Sequence, residues 1–353
     1  MKRIILFDTS IATQNKGDEI IMESVRRELE PVLKGNFVYN FPTHLVSFPF
    51  GHQFTSSKAN LAKNANLKFI CGTNLFWTNM LRPNPLLNVN IMNYKPMRKS
   101  ILMGVGYDGV KCSDHFDPYS KMLWKRVLSH KYVHSTRDDK TVEYLNMLGL
   151  KAINTSCPTL WKLTPEHCKD IPTKKADKVV FTLSSTGGIN RENDQKIIDC
   201  LLKNYKEVYF WSQTYGGYKT LRSYENCDKI KYIDPELNEY RKFLLENDVD
   251  YVGTRLHGGV FAMQNKKRAI NLSVDHRAEE FDRYHINVLP QDDIQAIDEK
   301  INSDFATAVT VDYKIVNEWL SQFLPSENDV EDDEYYHCLL YTSPSPRDAH
   351  ESR

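Results

Sequence analysis

The chain has 353 residues, of which 41% are hydrophobic and 26% charged, an ordinary balance for a folded protein with a substantial core. Its 46 Lys and Arg equal its 46 Asp and Glu, so the basic excess typical of nucleic-acid-binding proteins is missing. No apolar stretch approaches the ~20 residues that span a bilayer, and the run after Met1 is too short for a signal peptide, so we expect a cytoplasmic protein.

The first half alternates strand-like apolar runs with amphipathic helical runs. A first strand is predicted at 2–8, and the apolar spacing over 19–29 predicts a helix with Asp18 as its N-cap. Asp138 is expected to cap a later helix that ends at Gly149. Further strands of the first half are predicted at 67–71, 100–105 and 132–136. Repeated strand–turn–helix units imply a mainly parallel sheet with helices on both faces.

A segment rich in proline and charge, residues 163–178, interrupts this rhythm and has the composition of a linker. The second alternating set has strands predicted at 179–184, 207–212, 250–254 and 268–274 and helices at 193–204 and 237–246. The final residues are first acidic and then resemble translated vector sequence, so we leave them out of the functional argument.

These composition changes divide the chain into four parts. We predict an N-terminal α/β domain at 1–162, a linker at 163–178, a C-terminal α/β domain at 179–326 and a disordered or artefactual tail at 327–353. The expected fold class is α/β, with two Rossmann-like, doubly wound domains that face each other across a cleft. Ligands prefer to bind in such clefts.

The strand predicted at 250–254 runs directly into Arg255, Leu256 and His257, followed by two glycines and an apolar helical run. Such a junction offers free backbone N–H groups and the positive end of the helix dipole to an anion. Arg255 adds a fork for a carboxylate or phosphate, and His257 can exchange a proton near neutral pH. An ion pair for Arg255 and a backbone-bonded His257 are the structural alternatives. The pattern predicts a small-anion site with proton transfer.

Other strand-to-helix junctions carry further candidates. Arg137 could hold a second part of an anion or form an ion pair with the aspartates after it. Asn15, Gly17 and Asp18 occupy the first such turn, which lines the cleft in doubly wound folds, although helix capping alone would also explain Asp18.

Asn74 follows a glycine at the end of another predicted strand, and the glycines at 104 and 106 also allow close approach of the backbone to a ligand. The run 184–188 could bind an anion through backbone N–H groups, or form a common glycine-rich turn. His276 and Arg277 place a second basic pair after the last predicted strand, where a solvated turn is the alternative.

Several motifs of other enzyme classes are missing. The first turn lacks the dinucleotide and P-loop glycine patterns, and no H-E-x-x-H, D-x-D or G-x-S-x-G motif occurs. The seven cysteines stand singly without a Cys-x-x-Cys pair, which favours reduced thiols over disulfides or a zinc site. We therefore expect no metal site and no cofactor.

The ordered set of these motifs resembles the polysaccharide pyruvyl transferase family. The resemblance covers roughly residues 1–290 and rests on an ordered series of short motifs: Asn15-x-Gly17-Asp18, Gly72-Thr73-Asn74, Ser135-x-Arg137-Asp138, Cys157-Pro158-Thr159, Arg255-Leu256-His257, Asn271-Leu272-Ser273 and the segment 275–281. The late basic position, often lysine in relatives, falls at His276 or Arg277 here, and the first glycine cluster is shorter than in relatives.

The resemblance implies a GT-B-like fold and a transfer from phosphoenolpyruvate to a pair of sugar hydroxyls, which gives a pyruvate ketal on a cell-surface or exopolysaccharide glycan and releases phosphate. The acceptor would be a glycan or a lipid-linked sugar. The implied catalytic residues are His257 and Asp18. His257 would protonate the donor methylene or take the proton of the attacking hydroxyl. The implied substrate-binding residues are Arg137, Arg255, Leu256, Asn15, Gly17, Asn74, His276 and Arg277.

Two competing interpretations remain at this point. A metal-independent GT-B glycosyltransferase that uses a nucleotide sugar would share the architecture, and donor competition would separate the two. A non-catalytic glycan-binding protein is the other, although the presence of Arg137, Arg255 and His257 together argues against it. In the transferase interpretation the N-terminal domain is the acceptor side and the C-terminal domain the donor side, and a homo-oligomer is possible.

Overall fold

The computed structural model of the chain describes residues 1–82, 85–109, 112–184, 190–274 and 283–324. The strands in these residues are β1 (Arg3–Asp8), β2 (Phe37–Pro42), β3 (Leu67–Cys71), β4 (Ile101–Met103), β5 (His134–Thr136), β6 (Ala152–Asn154), β7 (Lys178–Thr182), β8 (Glu207–Trp211), β9 (Lys231–Ile233), β10 (Asp250–Gly253), β11 (Ala269–Ser273) and β12 (Val288–Pro290).

The helices in the same residues are α1 (Lys16–Glu28), α2 (Glu30–Leu33), α3 (His52–Thr55), α4 (Ser57–Lys63), α5 (Pro118–Val127), α6 (Asp139–Met147), α7 (Pro165–Lys169), α8 (Arg191–Asn204), α9 (Gly217–Leu221), α10 (Leu237–Glu246), α11 (Leu256–Gln264), α12 (Ile294–Asn302) and α13 (Tyr313–Ser321). Strands and helices alternate through most of the chain, as the sequence predicts. None of the helices in these ranges is long and apolar enough to cross a membrane.

The first sheet is parallel and has the strand order β2-β1-β3-β4. A separate parallel pair, β5 and β6, adjoins it through a bridge between Val105 and Thr136. The order reverses between β1 and β3, because β2 lies on one side of β1 and all later strands lie on the other. In doubly wound sheets, ligands bind beyond the carboxyl ends of the strands at such a reversal.

The second sheet is also parallel, with the order β9-β8-β7-β10-β11-β12. Counted from β7, this is the order 3-2-1-4-5-6 of a dinucleotide-binding fold. Its reversal lies between β7 and β10. The loop after β10 holds Arg255, so the second reversal point coincides with the strongest anion-site candidate of the sequence.

Local capping chemistry explains one predicted helix well. The side chain of Asp138 accepts a hydrogen bond from the Thr141 N–H and begins α6. Gly149 follows the helix with a positive φ of 73°, the left-handed conformation that glycine adopts without steric cost. Both ends of α6 are therefore confirmed.

The start of α1 differs from the prediction. Asn15, and not Asp18, is the N-cap, and its side chain accepts from the Gly17 N–H. The helix begins three residues earlier than the apolar pattern indicated, because the Lys16 N–H is held by the Gln213 carbonyl at 2.8 Å, a contact from the other half of the chain. Asp18 lies in the first turn of α1, where its negative charge still interacts favourably with the positive end of the helix dipole.

Several elements escaped the sequence analysis, namely β2, β6, β9, β12, α2, α3, α4, α5, α9, α12 and α13. The predicted linker also contains α7, and the side chains of Cys168 and Ile171 within it are buried in the core. The segment 163–178 is therefore packed on the body of the protein. The boundaries of the two domains stay a prediction, as does the tail 327–353, which lies outside the described residues together with 185–189 and 275–282.

One hydrophobic core cluster draws on both sheets. Buried residues of α1, such as Ile20, share it with Phe261 of α11. Helix α13 near the end of the described chain returns to the first sheet, where Trp319 and Phe323 pack against Phe69 of β3 at ring-centroid distances of 6.4 and 5.0 Å. The six cysteines within the described ranges are free thiols.

Candidate functional site

The candidate residues lie on loops at the carboxyl ends of the two sheets, and these loops touch. Asn15, in the loop after β1, forms an antiparallel bridge with Thr214, in the loop after β8. The Gln213 side-chain amide donates to Asn15 Oδ1 at 2.9 Å. The Tyr215 N–H donates to the Gln14 carbonyl at 3.3 Å. The carboxyl-terminal edges of the two sheets therefore meet at these loops.

The junction of β10 and α11 holds Arg255 at the N-cap position. Its backbone N–H donates to Thr182 Oγ1 at 3.3 Å, and its carbonyl accepts from the Tyr251 hydroxyl at 2.7 Å. Its guanidinium reaches Thr214 Oγ1 at 3.4 Å. Burial raises the pKa of Tyr251, so this phenol stays protonated as a donor. Residues of β7 and β10 therefore hold the backbone of Arg255 by hydrogen bonds. Its partly exposed guanidinium contacts the loop after β8.

His257 lies in the first turn of α11 and connects this junction to the first half of the chain. Its Nε2 is 3.8 Å from the Sγ of Cys157, one hundred residues earlier. Burial raises the pKa of the Cys157 thiol, with bonds from Thr159 and the charge of Arg137 opposing that rise. Cys157 is therefore a neutral neighbour of His257 near neutral pH, and it is close enough to Arg137 for that positive charge to act on it.

Arg137 is buried, with 6% of its surface exposed, and its guanidinium is held from two sides. It donates to the side-chain oxygen of Asn74, and its Nε is 3.8 Å from Asp138 Oδ2. Burial raises the pKa of Asp138, and the charge of Arg137 opposes that rise. A Cβ at Gly106 would come within 2.2 Å of Arg137 Nε, so this glycine leaves room for the guanidinium. Asn74 and Arg137, predicted separately, thus form one unit.

The turn after β1 places Asn15, Gly17 and Asp18 beside the second half. A Cβ at Gly17 would lie 2.8 Å from Gln213 Nε2, so glycine permits this close approach. Asp18 is 5% exposed, and its Oδ2 accepts from the Thr13 hydroxyl and lies 3.7 Å from His44 Nε2. The carboxylate of Asp18 is therefore already engaged by two neighbours, which suits an orienting role as well as a catalytic one.

The sequence analysis missed Gln213, which is buried close to the first turns of both α1 and α11. Its amide nitrogen donates a hydrogen bond to Asn15 Oδ1. A Cβ built at Gly258 would lie 3.1 Å from its Oε1, so the side chain also lies close to the first turn of α11. The available signal was the same as for Arg255: Gln213 and Thr214 follow the buried strand β8 and precede a pair of glycines. His44 and Cys157 also lie in the site, although Cys157 entered the analysis through the family resemblance.

Exposed tryptophans often stack on sugar rings, but two tryptophans near the carboxyl ends of strands do not have this role here. Trp77 and Trp211 are both buried in the core, and Trp211 stacks on Tyr240 at a ring-centroid distance of 4.0 Å. The positions His276 and Arg277 lie outside the described residues. Within the described ranges, no group of three or more His, Cys, Asp or Glu side chains is arranged to hold a metal ion.

Comparison with known proteins gives a family and a fold. The family model described as polysaccharide pyruvyl transferase matches residues 15–276. That span starts at Asn15 and includes Arg137, Arg255 and His257. Comparison with curated proteins gives no match.

Two solved structures are similar. The Methanocaldococcus jannaschii UDP-GlcNAc 2-epimerase in complex with UDP-GlcNAc and UDP aligns with a TM-score of 0.52 at 14% identity, over 90% of this chain and 99% of that chain. The E. coli heptosyltransferase WaaC with ADP-2-deoxy-2-fluoro heptose aligns with a TM-score of 0.36 at 9% identity, over 76% and 88%. The epimerase has a GT-B fold, and at this identity the likeness concerns the fold alone. The predicted α/β class with parallel sheets is thereby confirmed.

Proposed function

The chain belongs to the polysaccharide pyruvyl transferase family, and on this basis we propose that it moves a pyruvyl group from phosphoenolpyruvate to two hydroxyls of a sugar, forming a ketal and releasing phosphate. The observation that carries the proposal is the proximity of Arg255 and His257, at the junction after β10, to Cys157 in the loop after β6 and to Arg137 in the loop after β5. A donor with both a phosphate and a carboxylate needs several positive groups at short range, and this convergence provides them.

The donor would lie against the first turn of α11. Arg255 offers a planar fork for one anionic group, and Arg137 offers a second, already oriented by Asn74. The N–H of Leu256 begins α11, where the helix dipole favours negative charge. In this arrangement the carboxylate and phosphate lie on the two arginines and the methylene carbon is directed toward His257.

The proposed reaction begins at the donor double bond. A proton adds to the methylene carbon, C3, and leaves an oxocarbenium-like centre at C2. The first sugar hydroxyl adds to C2 and loses its proton. The second hydroxyl then displaces phosphate, which leaves with the bonding pair of the C2–O bond and takes up the proton of that hydroxyl. His257 is the proton donor to C3 or the acceptor from the hydroxyl, and the carboxylate of Asp18 assists in the proton transfer. The reaction uses phosphoenolpyruvate as a substrate and assigns no cofactor.

The acceptor in this proposal is a glycan or lipid-linked sugar destined for a cell-surface or exopolysaccharide, and the reaction is placed in the cytoplasm. Residues 1–162 would bind the acceptor and residues 179–326 the donor. His276 and Arg277 would add positive charge near the donor phosphate. Asn15 and Gly17 would contribute backbone and amide contacts from the acceptor side.

The test of donor identity is a calorimetric titration of the full chain with phosphoenolpyruvate, with pyruvate and a UDP-sugar as competitors. We expect selective binding of phosphoenolpyruvate and a loss of about tenfold or more in affinity for Arg255→Ala, because a charge-assisted contact is removed. Arg222→Ala, at an exposed position of the same half, is the matched control and should bind normally. A preference for the UDP-sugar would instead support a GT-B glycosyltransferase.

A further inference from the structure

A cavity of about 720 Å³ opens at the amino ends of β3 and β4, and its lining is strongly basic. Lys63 reaches it from the end of α4, and Lys68 from β3. Arg98 and Lys99 precede β4. Lys99 has a φ of 64°, a left-handed backbone conformation that is unfavourable for a lysine.

The other wall comes from the end of α5 and the segment that leads to β5. It contributes Lys125, Arg126, His130 and Lys131. Seven of the fifteen lining residues are thus Lys or Arg, and among these described residues none is Asp or Glu. In a chain with equal numbers of acidic and basic residues, this local excess is not a consequence of overall composition.

Lys68 forms the floor of the cavity. It is 3% exposed, and its ammonium donates to the carbonyls of Lys63, Pro96 and Arg98 at 3.0–3.3 Å. Burial, together with the charges of Lys99 and Arg98, lowers its pKa to about 8. An anion that enters the cavity would meet the positive charges of the side chains that line it.

The cavity is separate from the candidate catalytic site. Asn74 and Arg137 follow the carboxyl ends of β3 and β5, whereas the cavity lies at the amino ends of β3 and β4. The five residues of β3 span roughly 17 Å at about 3.3 Å per residue. A ligand in the cavity would therefore not contact a donor bound at Arg255.

We propose that this cavity is a second anion site, which binds a ligand carrying two or more phosphate groups. Its volume is that of a small-molecule pocket. Arg98 and Arg126 supply planar forks for bidentate contact with phosphate oxygens, and the lysines supply mobile point charges around them. The phosphates belong to a soluble phosphate ester or to the headgroups of an anionic lipid, and the experiment below separates these two sources.

The test uses the full chain and sodium tripolyphosphate as the probe, titrated by calorimetry at low ionic strength. We expect binding by the wild type, and a loss of at least about tenfold in affinity for Lys99→Gln combined with Lys125→Gln. Lys121→Gln is the matched control, because Lys121 is exposed on the same helix one turn before Lys125 and does not line the cavity. Arg255→Ala should bind tripolyphosphate like the wild type, which separates this proposal from the proposed donor site.

A second arm identifies the source of the phosphate. Sedimentation with phosphatidylglycerol vesicles, against phosphatidylcholine vesicles, is measured for the same variants. Sedimentation that is lost in the double variant and kept in Lys121→Gln supports a lipid headgroup, and tripolyphosphate binding without sedimentation supports a soluble ester. The proposal is overturned if the wild type binds neither probe, or if the double variant and the Lys121→Gln control bind equally well.

Discussion

His257 is the residue on which the proposed chemistry depends most directly. It lies in the first turn of α11, with Nε2 3.8 Å from Cys157 Sγ. Burial raises the thiol pKa, so near neutral pH Cys157 offers no negative charge that would hold the imidazole as a cation. Histidine side chains can give or accept a proton near neutral pH, which is the property that the proposed reaction requires.

Replacement of this histidine separates chemistry from binding. In His257→Ala we expect turnover to fall by ~10²–10⁴, the usual contribution of a general acid or base, while the affinity for phosphoenolpyruvate changes little. Turnover is measured as phosphate release with the best acceptor found for the wild type, and affinity by calorimetry. His115→Ala, at an exposed position, is the control. Near-normal turnover in His257→Ala would show that another group moves the proton.

At the scale of the element, helix α11 connects site geometry to stability. Gly258 and Gly259 form its first turn, and the N–H groups of both donate to the Arg255 carbonyl. Their surroundings differ, however. A Cβ at Gly259 would lie 2.1 Å from Asn271 Oδ1 and 2.7 Å from Tyr251 Cε1, whereas a Cβ at Gly258 would have its nearest neighbours at 3.1 Å. A methyl group therefore has no room at Gly259 and a little room at Gly258.

This difference predicts unequal effects of the same substitution. Gly259→Ala should lower the free energy of unfolding by ~1–3 kcal/mol, because Asn271 or Tyr251 must move. Gly258→Ala should be close to neutral, since the gain in helix propensity of up to ~1 kcal/mol offsets its mild crowding. Urea denaturation of both variants measures the difference. Equal stabilities would mean that the backbone of α11 lies farther from β11 than the structure places it.

At the scale of the whole molecule, the two sheets share one core, and helix α13 near the end of the described chain packs against the first half. Trp319 of α13 is 2% exposed, packs on Phe69 of β3 and donates its indole N–H to the Val133 carbonyl at 2.8 Å. Helix α13 belongs by chain order to the proposed domain 179–326, yet these contacts are to the first half. We therefore expect the two proposed domains to unfold together.

Loss of this contact should destabilise the entire protein. For Trp319→Ala we expect a decrease of ~3–5 kcal/mol in the free energy of unfolding, the usual cost of removing a buried tryptophan. Glu318→Ala, at the exposed neighbouring position, should stay within ~0.5 kcal/mol of the wild type. Urea denaturation is followed by fluorescence and by circular dichroism. Two separate transitions in Trp319→Ala, with the second half unaffected, would contradict a shared core.

Features that depend on neighbours within a few residues could be predicted from the sequence. The cap of α6 by Asp138 and its end at Gly149 follow from local hydrogen bonding and backbone freedom. The junction that carries Arg255 and His257 follows from a buried strand running into glycines and an apolar helix. The family resemblance drew on the same kind of short, local motif, and the family match over 15–276 confirms it.

Features that depend on contacts between distant segments required the tertiary structure. Helix α1 begins at Lys16, with Asn15 as its N-cap, because Gln213, nearly two hundred residues later, accepts from the Lys16 N–H. The proximity of Cys157 and His257, and the basic cavity around Lys68, likewise arise where separate loops are packed together. Periodicity and capping act over one or two helical turns, whereas these positions are set by how two whole sheets pack, and a single sequence carries no local signal of that packing.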